Sequence, residues 1–83
     1  VSWNTLDPRI REIAVRELTP YQLDVFKLKI AGLGYKRISV MLTPERDPTT
    51  VRQHFDAANR TLRRHGVGRR TDGIYYLEET ARA

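Results

Sequence analysis

Asp47-Pro48-Thr49-Thr50-Val51-Arg52-Gln53-His54 combines the residue types that open a helix with those that read the edges of DNA bases. The Asp47 carboxylate can accept hydrogen bonds from the orphan amides of a first helical turn, and Pro48 fits the first helical position because no N–H is needed there. Val51, Phe55, Ala58 and Leu62 recur at helical spacing and form one apolar stripe. That phase leaves Thr49, Thr50, Arg52, Gln53, Asp56, Arg60 and Arg63 outside. Thr, Arg and Gln on the front of a cationic helix can reach base edges in a major groove: Arg pairs bidentately with guanine, and Gln with adenine. Thr49, Thr50, Arg52 and Gln53 are therefore the candidate base contacts of a helix expected over about 48–64.

Charge is concentrated on the same segment. The chain carries 15 Lys+Arg and 10 Asp+Glu, a net charge of +5. From Arg46 to Arg70 there are seven arginines and two acids, so this stretch accounts for the whole excess. A localised field of this kind steers a polyanion, and Arg matches phosphate better than Lys does because its donors form a planar fork. Arg46, His54, Arg60, Arg63, Arg64, Arg69 and Arg70 are the candidate phosphate contacts in this region, joined by Lys36 and Arg37 from the preceding segment.

Other chemistries lack their residues. There is no cysteine, hence neither a disulfide framework nor a thiolate zinc site. His54 and His65 stand eleven positions apart without an acidic cluster at ligand spacing, so no metal is expected. His65, next to Gly66, reads as a helix-terminus residue favoured by the dipole. Gly32-Leu33-Gly34 lacks the third glycine of a dinucleotide loop, since Arg37 stands there, and it follows a helix pattern rather than a strand. Ser2 and Ser39 have no His and acid partners nearby in sequence. The expectation is a binding protein, not an enzyme, that uses no cofactor. No apolar run reaches the roughly 18 residues of a membrane span, and the N-terminal residues lack the apolar stretch of a signal peptide, which leads to the expectation of a cytoplasmic protein without a membrane partner.

Three further helices must position the basic one. Asp7-Pro8 and Thr19-Pro20 repeat the cap-then-proline signal. Ile10, Ile13 and Ala14 give the first segment, ending near Leu18, an apolar side. From Pro20 to Ala31, Leu23, Phe26 and Ile30 mark a core face that Val25 and Leu28 widen, and Gly32 stops the helix. A short segment from Tyr35 to Leu42 is expected to turn Ile38, Met41 and Leu42 inward and Lys36 and Arg37 outward. Trp3 should fold back onto the core, Tyr35 should be core with its hydroxyl outward, and Tyr21 should face solvent. Beyond Val67, Asp72-Gly73 followed by Ile74-Tyr75-Tyr76-Leu77 allows a hairpin, while a closing helix over Tyr75 to Ala83 is the alternative. Arg69 and Arg70 would then lie on a flexible approach to this segment. The expected architecture is an all-α, four-helix bundle-like domain over 1–83, with its core in 18–66 and a C-terminal extension over 67–83.

Leu18-Thr19-Pro20, Leu23, Val25, Leu28, Gly32-Leu33, Lys36, Ile38 and Leu42 resemble the start of a LuxR/GerE-type helix-turn-helix domain. Thr50-Val51-Arg52 and His54 resemble the opening of its recognition helix. The pattern is equally similar to the promoter-reading C-terminal domain of bacterial sigma factors, in which Gly-Leu-x-Tyr-Lys-x-Ile precedes a helix with an Arg-rich end like Arg60-Thr61-Leu62-Arg63-Arg64. The resemblance covers roughly residues 18 to 66. It implies a double-stranded DNA partner, a role in transcriptional regulation, and either a homodimer, as LuxR-type domains commonly form, or a single copy acting with RNA polymerase. Two departures stand out. Arg37 occupies the place where a Glu usually follows the Lys, which removes any polymerase contact made by that acid. Thr43, Pro44, Glu45 and Arg46 also lengthen the link before Asp47 by about two residues, enough to re-aim the following helix. With no receiver or ligand-sensing segment, the chain reads as a reader module standing alone, of the kind a small bacterial or phage regulator would be. The competing expectation is a protein-interaction module of the same fold that binds RNA polymerase, a sigma factor or another host regulator through Leu33, Tyr75 or Trp3.

Overall fold

The computed structural model describes residues 2–42 and 46–78. A 3-10 turn at Trp3–Thr5 is followed by four helices, α1 (Pro8–Glu17), α2 (Pro20–Ile30), α3 (Tyr35–Met41) and α4 (Pro48–Arg64), and by two short strands, β1 (Val67–Arg69) and β2 (Tyr75–Leu77).

Three of the helices start as the sequence dictates. The Asp7 carboxylate accepts from the Arg9 amide at 2.8 Å, and the Asp47 carboxylate accepts from the Thr50 amide at 2.8 Å. Thr19 and Gln22 form a reciprocal capping box, each side chain accepting from the other's amide at 3.2 Å. Proline occupies the first position of all three helices. Helix α2 ends at Gly32, whose φ of +106° an L side chain rarely adopts. This conformation lets the Gly32 and Leu33 amides donate back to the Lys29 and Leu28 carbonyls, satisfying groups the helix leaves open.

The core is centred on Phe26, which is completely buried. Its ring meets Trp3 edge-on at 6.3 Å, Tyr75 at 5.1 Å and Phe55 at 6.4 Å, so one residue of α2 touches the N-terminal turn, β2 and α4. Ile10 and Ala14 of α1, Val25 of α2, Ile38 of α3 and Val51, Phe55, Ala58 and Leu62 of α4 belong to the same buried cluster, with Leu6, Leu18 and Val67. The α4 stripe is thus the one expected, and Trp3 does fold back onto the core.

Two expectations about facing are corrected. Met41 is 53% exposed and Val40 63% exposed. Helix α3 ends at Met41, and the extended backbone of Leu42 returns that residue to the core in its place. In α2, Val25 is buried with Phe26, whereas Leu23, Leu28 and Ile30 are half-buried at its margins. Both α4 and α3 pack on α2.

The all-α expectation also fails at the C-terminal end. β1 and β2 pair antiparallel, with Val67 opposite Leu77, Gly68 opposite Tyr76 and Arg69 opposite Tyr75. Between them the Asp72 carboxylate accepts from the Ile74 amide, and Gly73 takes a φ of +89° to reverse the chain. The hairpin alternative therefore holds over 67–78, where the closing helix would have begun; residues 79–83 lie outside the described residues. A Cβ at Gly68 would sit 2.6 Å from the Tyr76 ring, so glycine is what allows that ring to lie flat across β1.

Removing the shared aromatic tests this arrangement. Phe26→Ala should cost about 3–5 kcal/mol, the range for emptying a buried aromatic site, while Met41→Ala should fall within about 0.5 kcal/mol of the parent, as exposed substitutions do. Chemical denaturation of both variants provides the check, and comparable losses would contradict the packing described.

Candidate nucleic-acid interface

Helix α4 presents two opposed faces. With about 100° per residue, the buried stripe Val51, Phe55, Ala58 and Leu62 points one way, and Thr49, Arg52, Gln53, Asp56, Arg60 and Arg63 point the other. All six of these outer residues are exposed. The structure therefore brings three of the four candidate base contacts together with two candidate phosphate contacts. Thr50 is half-buried on the flank, where its amide serves the Asp47 cap. Arg52 faces Asp56 at 3.9 Å, a long i,i+4 pair between exposed groups. Such a pair is worth less than about 1 kcal/mol, so Arg52 can leave it for a partner at small cost. Gln53, Arg60 and Arg63 have no ion pair or side-chain hydrogen bond among the described residues.

Lys36 and Arg37 are exposed on α3. Thr43, Pro44 and Glu45, three of the four residues of the lengthened link, lie outside the described residues. Arg64 sits a further 100° or so round α4, where its guanidinium donates to the Thr61 hydroxyl at 3.4 Å.

Several expectations change. Tyr21 does not face solvent: its hydroxyl is buried without a hydrogen-bond partner among the described residues, and its ring packs 4.7 Å from His54. The Arg46 guanidinium lies 5.7 Å from the centre of the Tyr21 ring. His54 is consequently a half-buried flank residue that joins α4 to α2, and its ring is committed to that packing rather than displayed on the outer face. The sequence did not reveal this because Tyr21 and His54 belong to separate helices whose approach only the tertiary structure fixes.

Arg69 and Arg70 are likewise not on a loose approach. Arg69 is in β1, with its guanidinium 5.7 Å from the Phe55 ring and 5.9 Å from the Tyr75 ring. Arg70 pairs with Asp72 at 3.2 Å inside the hairpin turn. At the far end of α4, His65 lies 3.3 Å from the Glu17 carboxylate and ties the ends of α1 and α4 together. Hydrogen bonding to Arg16, helped by His65, holds the Glu17 carboxyl below its ordinary range.

Asn59 was not singled out from the sequence. It accepts a 2.6 Å hydrogen bond from the Tyr75 hydroxyl, which braces α4 against the hairpin. Sixteen residues separate the two, and no local pattern couples them. No protein family, curated protein or solved structure matches this chain.

The brace gives a pH dependence with a definite sign. Burial pushes the Tyr75 phenol up to about 12 from 10.0, outweighing the opposing pull of the Arg69 charge. The unfolded chain thus releases this proton more easily than the folded one, and its contribution is intact below pH 10.0 and lost as pH rises toward about 12. Thermal midpoints measured across this range should fall more steeply for the parent than for Tyr75→Phe, which has no proton to lose. Parallel curves would contradict the buried placement.

Proposed function

We propose that this chain is a sequence-specific double-stranded DNA-binding protein acting in transcriptional regulation, with α4 as the helix that enters the major groove. The observation that carries this reading is the outer face of α4: Thr49, Arg52, Gln53, Arg60 and Arg63 aligned opposite the core, with Asp56 the one acid among them. A helix with its side chains is about 10–12 Å across and the major groove about 12 Å wide, so such a face can be seated there. In this reading Arg52 and Gln53 read bases from the front turns, with Thr49 and Thr50 beside them. Phosphates are held by Arg60, Arg63 and Arg64 along α4, and by Lys36 and Arg37 on α3, the member of the helix-turn-helix pair that lies across the backbone. The work asked of the protein is binding, not catalysis, in the compartment of the nucleic acid, which places it in the cytoplasm of a bacterial or phage-infected cell.

A protein partner such as RNA polymerase is the second reading. Leu33, Trp3 and Tyr75, the residues first expected to serve it, pack against the core. The apolar surface favouring it is instead the exposed pair Val40 and Met41 on α3.

Salt titrations separate the two. On duplex DNA each phosphate contact contributes a slope of about −0.9 in log affinity against log salt. Arg63→Gln combined with Arg64→Gln should flatten the slope by about one to two units and weaken selected and scrambled sites alike. Arg52→Ala or Gln53→Ala should cost about 1–3 kcal/mol on the selected site and little on the scrambled one. Binding that is indifferent to salt and to all four residues would remove the DNA reading and favour a protein contact through α3.

A further inference from the structure

We infer that the groove between α4 and the hairpin is a built site for a phosphoryl group. Its volume is about 380 Å³, and Asn59, Arg60 and Arg63 of α4 line it together with Arg69 of β1 and Tyr75 of β2. Three arginines from two different elements thus line one groove. Asp56 is the one acid lining it among the described residues, and its carboxylate lies 3.9 Å from the Arg52 guanidinium.

Asn59 makes the donor character of the groove complete. Its Oδ1 is occupied by the Tyr75 hydroxyl at 2.6 Å, which fixes the amide orientation and leaves the Nδ2 hydrogens as donors. Among the described residues nothing accepts from them. Arg69 is in turn held in place above the Phe55 and Tyr75 rings. A wall made of a fixed amide and forked guanidinium donors is complementary to a tetrahedral oxyanion whose oxygens only accept, and charge-assisted bonds of this type are among the strongest a side chain makes.

The chemistry recognised is a phosphate ester, which could be a backbone phosphate of duplex DNA or a free phosphorylated molecule. The site itself stands on the geometry of the groove; only the choice of the duplex as its source rests on the DNA reading. If the duplex is the source, the groove takes a phosphate beside the strand that α4 enters, and the hairpin extends the contact beyond the helix.

The experiment is NMR of the isotope-labelled chain, following the Asn59 side-chain amide and the Nε–H groups of Arg60, Arg63 and Arg69. It is titrated with pyrophosphate at constant ionic strength and then with duplex DNA. Saturable shifts of these groups are expected. Arg60→Gln should weaken pyrophosphate about tenfold, as loss of one charge-assisted contact would. Asn59→Asp keeps the acceptor for Tyr75 but replaces the donor with a carboxylate, and should abolish binding while the backbone spectrum stays folded. Arg16→Gln, with the same loss of charge on α1, should bind like the parent. Displacement of pyrophosphate by the duplex identifies the DNA backbone as the source. Saturable pyrophosphate binding without duplex binding keeps the groove, assigns it to a free phosphate ester, and removes the DNA reading. Shifts that grow without saturation, or that are equal in the parent and Asn59→Asp, overturn the groove; duplex binding that still depends on Arg52 and Gln53 would then leave the DNA reading standing alone.

Discussion

The contact of Phe26 with three other aromatic rings is the constraint on which the remaining structure depends. A domain of this size buries only a modest fraction of its surface and keeps a small margin of stability. One side chain that joins the N-terminal turn, α4 and β2 to α2 therefore helps to set the relative position of all four. Phe55 transmits this constraint to α4. Because Phe55 is locked against Phe26, the rotation of α4 about its own axis is set, and with it the direction in which Arg52 and Gln53 project. The site is a consequence of the core: the same 3.6-residue period that buries Val51, Phe55, Ala58 and Leu62 determines which residues are left outside.

Electrostatics works on top of this scaffold. Some charged groups elsewhere find partners: Asp7 with Arg9, Glu17 with Arg16 and His65, and Asp72 with Arg70. On the outer face of α4, Arg60 and Arg63 face solvent without an ion pair among the described residues. Unneutralised like charges repel one another, a cost that high-dielectric solvent keeps small at the surface. A polyanion would convert that repulsion into attraction. The hairpin contributes to the same field by placing Arg69 beside Arg60 and Arg63 rather than leaving it on a separate tail.

The parts legible in the sequence were those governed by local rules. Caps and prolines located the starts of α1, α2 and α4, and Gly32 marked the end of α2, because each involves groups within a few residues of one another. The apolar period of α4 was strong enough to fix its buried face and hence most of the outer one. Met41 was misplaced because helical phase alone did not show that α3 stops there and that Leu42 turns back in an extended conformation. Tyr21, His54, Asn59 and Arg69 were misjudged or missed for a common reason. Their partners lie on other elements, and pairings such as Tyr75 with Asn59 arise only when the hairpin folds onto α4. Asp72-Gly73 announced a turn, but the chain beyond it forms a strand that pairs with β1 and sets Tyr75 against Phe26, contacts no local pattern shows.

The central claim, that α4 reads base sequence, is tested most directly by selecting bound sites from a pool of random duplex DNA with the intact chain. The account predicts enrichment of a short contiguous motif, compatible with a single helix in one stretch of major groove, in which one guanine preference disappears when the selection is repeated with Arg52→Ala and one adenine preference disappears with Gln53→Ala. Recovery of unenriched random sequence by the parent, or the same motif from all three proteins, would contradict it.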